Sequence, residues 1–315
     1  MSTYKVVKYQ PEYKLVWDAF VKHSKNATFL FHRDFMEYHQ DRFEDYSLLM
    51  FKSDKVIAVL PANKVDDNVY SHQGLTYGGL VLGSTIFSEN ITDMFKELHL
   101  YLKANGIKNF VVKTIPNFYF NNFPIDISKI MIDENYEFES SNMVLAVDYN
   151  VPLRIHKSKQ KKYRNNKHNF RIKQSNSFKS FWEQVLVPRL QEKHNAKPVH
   201  TLVEISMLNK RFPNHIKQFD IYLDDEILAG ITIFENENVV KSQYGATTAI
   251  GEKTRALDYL FLYLINHYKE MGKHFFSMGT VADPNYDLGY NPGLLKQKEE
   301  LGCTVFEQPI LKIEL

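Results

Sequence analysis

Apolar and polar positions follow one another in the same order in both halves of the chain. Residues 3–9 (TYKVVKY) predict a strand, and Pro11 stands where a helix reaching to Lys25 would start. A second short helix is expected after His32, with Phe35, Tyr38 and His39 on one side. Residues 47–52 and 56–63 are rich in β-formers and joined by Ser53-Asp54, so they read as a hairpin. Asp66-Asp67-Asn68 makes a turn before Val69-Tyr70-Ser71. Ile91, Phe95, Leu98 and Leu102 recur at helical spacing over 88–105, and Gly106 supplies a stop. Strands at 109–114 and 142–149 follow, the second expected to close the first half.

The later half begins with a basic stretch and a helix containing Phe181, Trp182, Val185 and Leu186. Thr201 and Glu204 stand at capping-box spacing ahead of a helix over 201–211. Strands are expected at 218–223, 227–234 and 239–245, then a long helix over 253–271 with Leu257, Leu260, Phe261, Leu264 and Ile265 on its apolar face. A strand at 274–278, a short helix at 293–301 and one or two terminal strands complete the pattern. Hairpins need antiparallel pairing while strands interleave with helices. The fold class is therefore α/β of the α+β kind, with a mixed sheet.

The two halves also match residue by residue. At a constant offset of 171, Asp54 falls on Asp225, Ala58 on Ala229, Val69 on Val240, Ser71 on Ser242 and Gly74 on Gly245. At an offset of 166, KANGIKNFVVKT (103–114) falls on KEMGKHFFSMGT (269–280). A period this long means two similar domains rather than a solenoid. They are expected at 1–150 and 151–315.

Composition changes this picture in three places. With 315 residues, 44% hydrophobic and 14% aromatic, the chain can fill two cores. Its one cysteine, Cys303, excludes an intrachain disulfide framework and a Cys-rich zinc site, and reads as a buried strand residue. The first residues form no apolar leader, and the apolar runs are far short of the ~18 residues a membrane span needs. A cytoplasmic protein is expected. Net charge is +2, yet residues 154–173 hold nine Lys/Arg and no Asp/Glu, leaving 30 basic against 37 acidic residues elsewhere. Lys161, Lys162, Arg164, Lys167, Arg171 and Lys173 would distribute around a helix, with Tyr163 and Phe170 as a narrow apolar seam. Such a helix suits a polyphosphate, an RNA acceptor stem or anionic lipid at the inner face of a membrane, and equally a solvated linker.

Four stretches carry a resemblance to a known group. They are the strand ending in Leu60-Pro61 with the SHQGLTYGG loop after it, the basic SKQKKYRNNKHNFRIKQS, the strand–helix–strand from Gln243 to Thr280, and the closing GLLKQKEELG. In this order they resemble the FemABX and FemAB-like proteins, whose architecture is a tandem GNAT acyltransferase fold. The chain departs from that pattern at Gln297, where an aromatic is usual, and at Leu301, where a Phe is. It is too short for the helical arm of peptidoglycan-building members. The turn from Ala249 to Arg255 also lacks the Arg/Gln-x-x-Gly-x-Gly/Ala signature of strict acetyl-CoA users.

The resemblance implies acyl transfer to an amine, which needs a bound ester or thioester, a neutral amine and a stabilised oxyanion. It implies Lys298 beside the reacting carbonyl, with Lys296 competing for the match. Asp283, Tyr286 and Asp287, after strand 274–278, could take a proton or hold the amine, and they are also ordinary turn residues. For the donor, Gly245 precedes a turn in which Gly251, Lys253, Thr254 and Arg255 would meet a phosphate at a helix start. For the acceptor, His72, Gln73, Tyr77 and Gly78 of the glycine-rich loop are candidates, with Lys161, Lys162 and Arg164 of the basic helix; His72 also reads as a hydrogen-bonded structural histidine. No permanent cofactor is expected. The donor would be acyl-CoA, and the acceptor a small anionic amine such as a nucleotide-linked amino sugar for surface polysaccharide. Two other readings remain at this stage: aminoacyl transfer from tRNA to a cell-wall peptide precursor, and a non-catalytic module binding RNA or membrane.

Overall fold

The computed structural model describes residues 4–84, 86, 88–120, 125–165 and 167–315; Thr3, counted in the leading strand, lies outside them. Two compact units emerge, one of residues 1–142 with 307–315 and one of residues 143–306.

In the first unit, β1 (Tyr4–Lys8), α1 (Lys14–Lys22), α2 (Arg33–Met36), β2 (Glu44–Asp45), β3 (Leu48–Lys52), β4 (Lys55–Leu60), β5 (Asn63–Val65), β6 (Asn68–Tyr70) and β7 (Val81–Leu82) lead to α3 (Ser88–Ala104), β8 (Asn109–Lys113) and α4 (Ile127–Asp133). The chain then enters β9 (Glu137–Asp148), which passes from this unit into the next. The second unit contains α5 (Lys157–Asn165), β10 (Arg171–Ser175), a continuous helical stretch of α6 (Lys179–Phe181), a π-helical turn (Trp182–Leu186) and α7 (Val187–His194), then α8 (Leu202–Arg211). It continues through β11 (Ile216–Leu223), β12 (Glu226–Glu235), β13 (Val239–Thr247), α9 (Ala249–Thr254), α10 (Ala256–Glu270), β14 (Phe275–Thr280) and α11 (Pro292–Glu300), and the last strand, β15 (Thr304–Glu314), returns to the first unit.

Within the first unit one sheet runs β1-β3-β4-β7, and another runs β15-β8-β6-β5-β2. Within the second the order is β10-β11-β12-β13-β14-β9. Both units place their apolar helix face on the sheet. Ile91, Phe95, Leu98 and Leu102 of α3 are buried against Leu60, Phe110 and Leu311, and Leu260, Leu264 and Ile265 of α10 against Ile231, Ile233 and Phe276.

The duplication is visible as register. The β3–β4 and β11–β12 hairpins turn on Ser53 and Asp224, 171 residues apart, with φ of 54° and 52°. In the first unit the parallel pair is Asn68↔Asn109, Val69↔Phe110 and Tyr70↔Val111. In the second it is Val239↔Phe275, Val240↔Phe276 and Lys241↔Ser277, the same residues shifted by the two sequence offsets.

Three sequence expectations need correction. The strand expected to close the first half instead pairs through Val144–Asp148 with β14. Arg171 and Lys173 lie in β10, paired with Tyr222 and Asp220 of β11, so the basic helix ends before them. The long helix does not start at Lys253: that residue belongs to α9, which ends at Thr254, and Arg255, at φ 63°, separates it from α10.

The core of the second unit is tight where the helical stretch meets β12. A Cβ on Gly230 would lie 2.4 Å from Cδ2 of the buried Phe181 and 2.9 Å from Oδ1 of Asp220. Gly230→Ala is therefore expected to destabilise this unit by about 1–3 kcal/mol, as overpacking does. Thermal melting would read this, and an unchanged midpoint would show that the contact yields freely.

Candidate functional site

In each unit the two parallel strands run together for three residue pairs and then part. The parting leaves backbone donors and acceptors with no strand alongside, and buried groups of this kind must find other partners. The units solve this differently.

In the first unit the glycine-rich loop fills the fork. Ser71 N donates to Val111 O (2.9 Å), Gly78 N to Lys113 O (2.8 Å), and Lys113 N to Ser71 Oγ (3.0 Å). A Cβ on Gly78 would sit 2.0 Å from Ser71 O, so only glycine fits this close approach. Tyr77 is 1% exposed, and its hydroxyl donates to Thr28 Oγ1 at 3.2 Å. Gln73 and Asn63 exchange two hydrogen bonds, at 2.7 and 3.0 Å. His72, with φ 64°, accepts from Gly74 N on Nδ1. Burial and the neighbouring His39, 5.2 Å away between ring centroids, hold its pKa down to about 3. Of these four candidates, expected to face an acceptor, His72, Tyr77 and Gly78 are buried in the packed loop and Gln73 is exposed.

In the second unit no backbone hydrogen bond among the described residues crosses the fork. β13 continues to Thr247 on β12, past a bulge at Gln243, and β14 continues to Thr280 on β9, past a bulge at Met278. Ser242, the counterpart of Ser71, reaches across with Oγ donating to Ser277 O at 3.4 Å. The stretch of β14 that has lost β13 is held from α11. There Lys298, only 5% exposed, donates from Nζ to the carbonyls of Met278 (2.7 Å), Thr280 (2.8 Å) and Gly279 (3.4 Å). Burial lowers its pKa to about 8 and raises that of the adjacent Cys303 thiol to about 12. The amine expected to face a reacting carbonyl is thus committed to main-chain oxygens at the fork, while Lys296 is a separate residue of the same helix.

After β14, Asp283 Oδ1 accepts from Asn285 N (3.0 Å) and Nδ2 (2.9 Å), a turn arrangement, while Tyr286 and Asp287 stand exposed. Gly245 lies on β13 opposite Ile231. Gly251 is buried, its N–H taken by Thr248 Oγ1 at 3.0 Å, and a Cβ there would meet Thr247 and Leu228 within 2.4 Å. The helix start expected to offer its amides to a phosphate is therefore capped by its own threonine.

The remaining donor candidates do come together. Lys253, Thr254 and Arg255 line one cavity of about 290 Å³ with Lys159, Lys162 and Lys167. Its aromatic lining is Tyr163, His168, Phe170 and Tyr259, the rings of Tyr163 and Phe170 lying 4.7 and 5.2 Å from that of Tyr259. Lys159 and Asp258 form an ion pair of 2.5 Å at 12% and 10% exposure. Gln297 donates to the other Asp258 oxygen at 3.0 Å, so the residue that departs from the aromatic pattern has a structural task. Lys161 and Arg164 do not line the cavity; with Lys157 they form a stripe on the exposed side of α5. Sequence reading missed Tyr259, Asp258 and Lys159, because an aromatic or a charge inside an amphipathic helix carries no mark of the cavity it faces.

Solved proteins share this architecture. FemX superposes with a TM-score of 0.70 at 11% identity, over 99% of this chain and 97% of FemX. L-PGS from Bacillus licheniformis gives 0.62 at 16% identity, over 96% and 92%. A tandem GNAT protein from the clavulanic acid biosynthesis pathway, solved without AcCoA, gives 0.53 at 8% identity, over 99% and 98%. The chain has a FemX-like tandem GNAT fold. No protein-family model matches it, and no curated protein matches it in sequence. In this tandem fold the copies differ at the fork: a loop bridges the first, and side chains bridge the second.

Two outcomes follow from these geometries. Lys298→Met keeps an unbranched apolar stem but strands the three carbonyls, so it is expected to lower stability by about 1–3 kcal/mol. It should also speed amide exchange at 278–280; a variant matching the parent in both would refute the capping role. His72 has a folded pKa near 3 against an ordinary 6.5, so the fold favours its neutral form. The stability this confers is fully present above pH 6.5 and is lost as pH falls towards 3. His72→Asn, which retains an acceptor and tolerates positive φ, should lose less stability than the parent between pH 7 and 4. Equal losses would assign the acid sensitivity elsewhere, for instance to His39.

Proposed function

We propose that this chain is an N-acyltransferase whose acyl donor lies in the fork of the second unit. The observation that carries this reading is the parting of β13 and β14 after Lys241 and Ser277, beyond which no backbone hydrogen bond joins them among the described residues. An extended chain carrying amides, such as the pantetheine arm of an acyl-CoA, can pair with such an edge as an added strand does. The acyl carbonyl would then lie against fixed backbone dipoles, where a developing oxyanion is stabilised without reorganisation. Attack by a neutral amine forms the C–N bond, breaks the C–S bond and leaves the thiol.

Lys298 supports this chemistry by holding β14, and the exposed Tyr286 and Asp287 stand on the following loop as candidate contacts for the acceptor. The cations of the α5–α10 cavity would take the donor phosphates. The acceptor is proposed as a small anionic amine, with a nucleotide-linked amino sugar as the example to try first. No helix among the described residues is long and apolar enough to cross a membrane.

A second reading keeps the fold and uses aminoacyl-tRNA as donor. It is favoured by Lys157, Lys161 and Arg164, cations on the exposed side of α5 that a single CoA molecule in the cavity would leave unused. Purified protein given acyl-CoA and a panel of amines should release thiol in an amine-dependent manner. Release only of amino acid from aminoacyl-tRNA would select the second reading. No turnover of either donor, with no donor-induced change in melting, would reject both and leave a binding module.

A further inference from the structure

α8 presents apolar side chains on both of its sides. Its buried residues are Ile205 and Leu208, and it packs on β11. Val203, Met207 and Lys210, at i, i+4 and i+7, fall on the opposite side of the helix. Val203 is 78% exposed and Met207 half-buried. In the connection from α7, Val199 follows Pro198 and is 66% exposed. Single exposed apolar residues are ordinary. A valine on the outer side of a helix is less so, because it forms helix less well than lysine or glutamate and gains no packing there. The charge around these side chains has one sign. Between 193 and 217 stand Lys193, Lys197, Lys210, Arg211 and Lys217 against a single acidic residue, Glu204. Glu204 is committed to the start of α8, where its carboxylate accepts from Thr201 N at 2.7 Å. Lys197 and Lys210 are exposed, and among the described residues their side chains have no ion-pair or hydrogen-bond partner.

We propose that α8 and the connection before it form a docking surface for an anionic lipid membrane. Val199, Val203 and Met207 enter the headgroup region, while Lys197 and Lys210 meet the lipid phosphates. The apolar side chains decide against RNA, which is held through cations and aromatic stacking. Two valines and a methionine are also too little for the core of a stable protein interface, which covers ~800 Å² on each partner. The outward stripe of α5 has half of this chemistry: Lys157, Lys161 and Arg164 are exposed, but no apolar residue of that helix is. A few cations with a shallow apolar insertion give reversible attachment, each signal being weak alone. The inference does not depend on the acyltransferase reading.

Sedimentation of the full chain with vesicles tests this, comparing phosphatidylcholine alone with equal parts of phosphatidylcholine and phosphatidylglycerol. The protein should bind the mixed vesicles and leave the neutral ones. Lys197→Gln and Lys210→Gln should each weaken binding about fivefold, and Val199→Ser with Val203→Ser at least about tenfold, at unchanged melting. Lys157→Gln with Lys161→Gln and Arg164→Gln should bind as the parent does. An environment-sensitive dye on Val203→Cys, the native Cys303 being buried, should shift to the blue on mixed vesicles. No binding to mixed vesicles overturns the proposal. So does binding that only the α5 substitutions remove, or binding with no dye shift, which would place the contact elsewhere. Binding of tRNA through Lys197 and Lys210 without vesicle binding would assign the cations to RNA. A concentration-dependent dimer that the valine substitutions dissolve would assign the patch to a second copy. Either result also overturns the proposal.

Discussion

Two parallel strands that separate inside a sheet leave unpaired main-chain groups, and each one left buried without a partner costs about 1–3 kcal/mol. That constraint organises both units of this protein. The first meets it with its own backbone: Ser71 and Gly78 hydrogen-bond to β8, and the chain between them is so close that Gly78 has no room for a methyl group. The second meets it with one buried ammonium, Lys298, on the β14 side. Beyond Lys241, among the described residues, the β13 edge makes no backbone hydrogen bond to β14. Duplication supplied two forks, bridged by a loop in the first and by the side chains of Ser242 and Lys298 in the second.

The rest of the second unit is consistent with that division. α11 brings Lys298 to the fork and Gln297 to Asp258, so one helix serves the strand edge and the cavity together. Asp258 in turn holds Lys159 and so fixes α5 against α10. The basic segment therefore does several things at once: Lys159 is structural, Lys162 and Lys167 face the cavity, and Lys157, Lys161 and Arg164 face solvent. On the other side of the α9 turn, Glu252 is paired with Arg189 and Lys193 of α7, which leaves Lys253 and Arg255 on the cavity side.

Much of the fold was legible because repeats constrain register. The offsets of 171 and 166, read from the letters alone, reproduce the two sets of parallel pairs and the two left-handed turn residues. The capping box at Thr201 and Glu204 formed as expected, since both partners are local. What stayed hidden depends on contacts between distant residues. No glycine or proline marks the break at Arg255, so helical periodicity ran straight through it. The glycine-rich first-half loop offered acceptor candidates, but Gly78 makes room for the carbonyl of Ser71 and Gly74 for the ring of His39. A lysine on an amphipathic helix gives no sign that three carbonyls from another strand will surround it. The return of residues 307–315 to the first unit is likewise invisible in chain order.

The most direct test of the central claim is backbone amide exchange across the two forks, with and without acyl-CoA. In the free protein, amides of 242–247 that face away from β12 should exchange readily, while those of Ser71 and Gly78 should be protected. Saturating acyl-CoA should slow exchange in 242–247 and leave 71–78 unchanged. Protection of both forks before ligand is added, or no change in 242–247 when acyl-CoA is bound, would contradict the assignment of the second fork as the donor site.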